Sequence, residues 1–161
     1  MRKPLPLRDL QQGVMLIEAL IAILIFSIGI LAVVGMQGIA IKNVTESRSR
    51  SEAAFLASEL LAQMWIDQNI NGVGANTSNV TVGNYDYQGG ASVPARIDAW
   101  VTRVQGKLPG STQAGVKPKV TITNASASGA TVKIELFWQQ PEEASLSLPP
   151  HSYVVTASVQ V

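Results

Sequence analysis

Between Asp9 and Lys42 the chain carries one formal charge, Glu18. Val14 to Gly35 is 22 residues of almost unbroken apolar sequence, interrupted only by Glu18 and Ser27. As a helix this run spans roughly 33 Å, close to the hydrocarbon thickness of a bilayer. A buried core helix seldom needs such length without polar relief, so the run reads as a membrane segment that commits the chain's first quarter to a helix.

The rest of the composition follows from that run. Hydrophobic residues make up 47% and charged residues 14% of 161 residues, which leaves room for one domain plus an extension. The net charge is +1. Arg2, Lys3 and Arg8 against Asp9 make the first 13 residues basic, and the remainder holds nine basic and ten acidic residues. That balance offers nucleic acid no general attraction. Cysteine is absent, which removes disulfides, thiolate metal sites and cysteine nucleophiles.

The segment before the run, MRKPLPLRDLQQG, is basic and broken by Pro4 and Pro6. Basic residues here favour keeping this end in the cytoplasm, although Lys42, Arg48 and Arg50 follow the run. A secretory signal places a small-residue cleavage site after its apolar region. Gly35-Met36-Gln37-Gly38 matches that pattern poorly, and the candidate processing point lies before the run, at Gly13.

The helical pattern continues past the apolar run. Ala53, Ala57, Leu60 and Met64 form a stripe, with Ala54, Leu61 and Trp65 beside it and Glu52, Glu59 and Gln63 assigned to the opposite face. The spacing predicts one helix from Val14 to about Asn69, ended by NINGVGANTSN, with Gly29, Gly35 and Gly38 as its weak points. YDYQGG reads as a short extended segment entering a turn. SVPARIDAWVTRVQGKLPG reads as a second helix, with Pro94 in its first turn and Ile97, Trp100, Val101, Val104 and Leu108 on one side. VKPKVTITNA and ATVKIELFWQQ alternate as strands around SASG, and SYVVTASVQV forms a third strand after the loop PEEASLSLPP. A helical stripe against an antiparallel sheet gives an α+β head.

No catalytic constellation emerges. His151 is the only histidine and has no carboxylate cluster near it in sequence. Glu142 and Glu143 read as solvated loop residues. NGVGANTSN lacks the lysine of a phosphate loop. Trp65, Trp100 and Trp138 read as core or interface aromatics. Lys117, Lys119 and Lys133 read as a solvated sheet face. The chain is not expected to be an enzyme, and no cofactor or metal site is expected.

The stretch QQGVMLIEALIAILIFSIGILAVVGMQ resembles the class III signal and N-terminal helix of type IV pilins and type II secretion pseudopilins. That family combines a basic leader, a glycine, a hydrophobic first mature residue and a glutamate fifth in the mature chain. Gly13, Val14 and Glu18 occupy those positions, with valine where the family most often has phenylalanine. Downstream, AAFLASELLAQMW, DAWVTRVQGKLPG and a strand hairpin with an exposed tryptophan in ELFWQQ resemble minor pilins of the PilV type.

The resemblance implies a type IV pilin fold: a long N-terminal helix packed by its second half on a small antiparallel sheet, with a second short helix. It divides the chain into a cleaved leader (1–13), a transmembrane and fibre-core helix (14–41) and a periplasmic head (42–161). Gly13 and Val14 would be the prepilin peptidase cleavage site, Val14 the N-methylation site and Glu18 the assembly and docking residue. Implied partners are the prepilin peptidase/methyltransferase, other minor pilins, the major pilin, the inner-membrane assembly platform and membrane lipid, with no nucleic acid. Implied locations are the bacterial inner membrane and then the pilus fibre at the cell surface. An I-type minor pseudopilin of type II secretion, or a displayed adhesion or DNA-uptake module, are the alternatives.

Overall fold

The computed structural model describes residues 8–71, 84–126 and 129–160. Leader residues 1–7, most of the glycine- and asparagine-rich stretch expected to end the first helix, and the centre of SASG lie outside the described residues. The chain divides into two compact units, Met1–Thr45 and Glu46–Val161.

Helix α1, Arg8–Asn71, runs for 64 residues and contributes to both units. It begins six residues before the expected start at Val14. No proline follows Pro6 until Pro94, so none interrupts the helix on its N-terminal side of Val14. Gly13 alone does not break it, since one glycine costs only about 1 kcal/mol relative to alanine. The helix is also continuous through Gly29, Gly35 and Gly38.

In the first unit the apolar run is exposed on every side of the helix, from Val14 through Val44. It is long and apolar enough to cross a membrane.

The second unit is α+β. Its sheet has the order β1 (Lys119–Ser126), β2 (Gly129–Trp138), β3 (His151–Gln160), antiparallel throughout. Alternation along the strands divides its faces. Val120, Ala130, Val132, Ile134, Leu136, Trp138 and Val159 form a buried inner row against Ala53, Leu56, Ala57, Leu60 and Met64 of α1. Thr121, Lys133, Glu135 and Thr156 occupy the outer row. There Lys133 pairs with Glu135 at 2.9 Å, and the Lys119 ammonium lies 5.7 Å from the Phe137 ring centroid. The β1–β2 ladder is irregular between Thr123 and Ser126, where Asn124 has φ 53°, a region that asparagine tolerates.

Helix α2, Asp98–Lys107, packs on the side of α1. It starts four residues after Pro94, which instead accepts a turn hydrogen bond from Ile97 (3.0 Å). Pro109 disfavours helical geometry at Leu108, which is extended at φ −100°, ψ 123° and ends the element. Trp100 anchors α2 in the core, and its indole donates to the Leu56 carbonyl at 2.8 Å. Beside it Glu59 meets Arg103 at 2.7 Å and Glu52 meets Lys107 at 3.5 Å. The expected polar face of α1 is therefore the margin of the α2 interface. These pairs are solvent-screened and contribute a few tenths of a kcal/mol each, so the tryptophan carries the docking.

One expectation about tryptophan needs correction: the tryptophan of ELFWQQ, Trp138, is not exposed but is the core aromatic of the other reading. Trp138 is 0% exposed, because its position on β2 belongs to the inner row; Phe137 is its outer-face neighbour. Trp65, 48% exposed, lies outside the core. The loop after β2 also contains a helix. In α3, Pro141–Ser145, Gln140 and Glu143 form a reciprocal capping box with Pro141 in the first turn.

Candidate functional site

The expected processing and docking residues all lie in α1. Gly13 and Val14 are within the helix, and Val14 and Glu18 are exposed. Four residues apart, Val14 and Glu18 share one helix face, one turn from each other. Within the apolar run, Ser27 satisfies its hydroxyl by donating to the Ile23 carbonyl at 2.7 Å. Glu18 has no hydrogen-bond or ion-pair partner among the described residues. A carboxylate without a partner on an otherwise apolar surface can bind a cation or donor brought by another molecule.

The second unit holds two polar clusters that sequence reasoning missed. In one, Glu46 of α1 accepts a hydrogen bond from the Trp138 indole at 2.9 Å through Oε2, and its Oε1 lies 3.4 Å from His151 Nδ1. The other imidazole nitrogen, Nε2, lies 3.0 Å from Glu143 Oε1, while Glu143 Oε2 accepts from the Gln140 amide at 3.0 Å. The His151 ring stacks on Trp138 with centroids 5.9 Å apart. Glu143 is thus a cap and an imidazole partner rather than a solvated loop residue. His151, without carboxylates nearby in sequence, is flanked by two in space.

In the other cluster, Tyr85 donates its hydroxyl to Asp67, and Arg96 meets the same carboxylate at 2.5 Å. Burial, reinforced by the Asp67 charge, pushes the Tyr85 phenol up to about 12. Asp67 and then Tyr85 raise the Arg96 guanidinium further above its ordinary range.

Neither cluster resembles a catalytic centre. Glu46 and Glu143 lie on opposite nitrogens of one imidazole and therefore do not converge on a common point. Among the described residues no group of three or more histidines and carboxylates is arranged to hold a metal ion. Both clusters join α1 to the strands, helices and loops packed on it, which is a structural task. Pro141 with Glu143 two residues later was the one local signal available for the first of them.

Comparison with family models, curated proteins and solved structures finds no match.

Proposed function

We propose that this chain is a minor pilin of the PilV type, an assembly subunit of a type IV pilus. The observation that carries this reading is the spacing of Gly13, Val14 and Glu18 at the head of an apolar helix whose later half packs on an antiparallel sheet. The leader is cut between Gly13 and Val14 by the prepilin peptidase, and the new Val14 amine is methylated. The subunit waits in the inner membrane with its head in the periplasm. It then joins other minor pilins to prime the fibre and enters the fibre or its tip.

Each residue has a physical task in this scheme. The bond to be cut lies inside α1 in the uncut chain, so the peptidase must unwind the helix locally. Gly13 is the residue whose helical state costs most there. Cleavage leaves an ammonium at Val14, one turn from Glu18. Glu18 then pairs with the terminal amine of a neighbouring subunit and draws it into register, in a medium where an unpaired charge is costly.

The test is the mature N-terminus. Sequencing of the protein recovered from membranes should begin at Val14, and replacement of Gly13 by a bulky residue should leave a longer protein that stays out of fibres. A mature chain beginning anywhere else removes the basis of the reading.

A further inference from the structure

The start of the second unit and one end of its sheet lie together. α1 enters this unit at Glu46, which meets Trp138 at the end of β2 and His151 at the start of β3. Further along α1, Asp67 meets Tyr85, which stands two residues before the Tyr87–Val120 bridge, towards the Ile122–Val132 pair. β2 therefore runs towards the point where α1 enters. The connection from β2 to β3, residues 139–150, lies at that entry end.

This connection holds two leucines out of the fold. Leu146 is 71% exposed and Leu148 47%. The turn that carries them is bonded throughout. The Leu146 and Leu148 amides donate to the Glu143 carbonyl at 3.2 and 3.1 Å, and the Ser147 amide donates to the Ala144 carbonyl at 3.1 Å. The side-chain amide of Gln139, a buried residue, donates to the Leu148 carbonyl at 2.6 Å. Ser147 has φ 54°, a conformation that serine adopts where neighbouring bonds impose it. Ser147, Pro149 and Pro150 add no charge beside the leucines. Glu143 is engaged by the Gln140 amide and His151, and Glu142 is an exposed acid four positions before the first leucine. At headgroup depth a carboxylate carries only a modest penalty.

We propose that Leu146 and Leu148 dip into the surface of the bilayer that α1 crosses, giving the head a second, non-covalent hold on lipid. This contact requires the apolar run of α1 to lie in a bilayer, as in the reading above, and requires no step of fibre assembly. Glu46 is four residues beyond Lys42, the first charge after the run. At any angle between the two units it therefore stays within about 14 Å of Lys42. Lipid is always within reach of this end of the head, at the high effective concentration that a tether confers. Two leucines suffice for a tethered contact with lipid, which asks only for apolar side chains at the interface. They are too few to offset the translational and rotational loss of capturing a separate protein.

The chain has no cysteine, so single nitroxide-labelled cysteines can report depth. The full-length chain would be placed in phosphatidylcholine nanodiscs with Ile25→Cys in the run, Ser145→Cys beside the leucines, or Ser158→Cys near the other end of β3. Spin relaxation by oxygen, which concentrates in lipid, and by a water-soluble nickel chelate measures where each label lies. The Ile25 label should favour oxygen. The Ser145 label should also favour oxygen, with nickel access several-fold below that of the Ser158 label. Adding Leu146→Asp and Leu148→Asp to the Ser145 reporter should restore nickel access to the Ser158 level. Both side chains are exposed, so near-ultraviolet circular dichroism should show an unchanged fold. A lipid-like Ile25 label beside a water-like Ser145 label overturns the loop contact and leaves the span standing. Loss of access to both reagents at Ser145 means a protein contact and also overturns it, as does protection that survives the two aspartates. If the Ile25 label is itself open to nickel, the span fails and the proposal falls with it.

Discussion

The imidazole of His151 lies nearly parallel to the indole of Trp138, with ring planes 13° apart, and Glu46 contacts both rings. Trp138 and His151 are direct partners across the β2–β3 ladder, so one glutamate of α1 clamps the end of the sheet. Trp138→Phe retains most of the buried surface and removes the hydrogen bond to a charged acceptor. It should cost about 1–2 kcal/mol, and Glu46→Gln should cost less because an amide oxygen still accepts. Urea unfolding of the detergent-solubilised chain, followed by the fluorescence of the remaining tryptophans, measures both. Equal losses for the two variants would show that the charge, not the indole geometry, holds this corner.

The Tyr85–Asp67–Arg96 cluster gives stability a specific dependence on alkaline pH. The folded phenol titrates at about 12 instead of 10.0, chiefly because it is buried, so the native state favours the neutral form. That contribution is fully present below the unfolded value and is lost as pH rises from 10.0 towards about 12. Two pKa units correspond to about 2–3 kcal/mol. Tyr85→Phe should lower stability at neutral pH and flatten its fall across this window. Denaturant midpoints compared at pH values on either side of it would show the difference. An unchanged slope in the variant would place the alkaline sensitivity elsewhere.

Gly110 joins the end of α2 to the strand region under two constraints. Its φ is +72°, and a Cβ there would stand 2.7 Å from the Gln139 carbonyl oxygen. Gly110→Ala combines left-handed strain with a backbone clash and should cost about 2–4 kcal/mol. Gly115 has φ +84° with open space around it, so Gly115→Ala should cost only about 1 kcal/mol. Equal thermal shifts for the two variants would mean that the chain relieves the clash by moving Gln139.

Much of this head was legible because periodicity reports burial directly. Alternation marked the first two strands and composition the third, without naming their inner rows, while the helical stripe identified Ala53, Ala57, Leu60 and Met64. The same stripe left out Leu56, and it assigned Glu52 and Glu59 to the polar face without revealing that α2 would meet them there. Pro94 suited a helix start so well that the turn before Asp98 went unread. The Glu46–Trp138–Glu143–His151 cluster was out of reach, since Trp138 and Glu46 are 92 positions apart and no local rule joins them. Glu18 is the reverse case. It stands out in the sequence because it is charged, whereas within the fold it has no described partner to explain it.

That isolation makes Glu18 the sharpest test of how the helix is used. Glu18→Gln keeps the shape and removes the charge, so membrane insertion should be unchanged or improved, because a carboxylate near the bilayer interface carries a modest penalty. If Glu18 pairs with a neighbour's amine, the variant should accumulate in the membrane and be depleted at least several-fold from sheared fibres. Glu18→Asp retains the charge on a shorter arm and should recover part of the loss, which a role in helix packing alone does not predict. Quantitative immunoblots of the membrane and fibre fractions, normalised to the major fibre subunit, give the ratio. Normal incorporation of Glu18→Gln would leave the carboxylate only a minor interaction with the helix dipole, worth about 0.3–1 kcal/mol, and would remove the docking role.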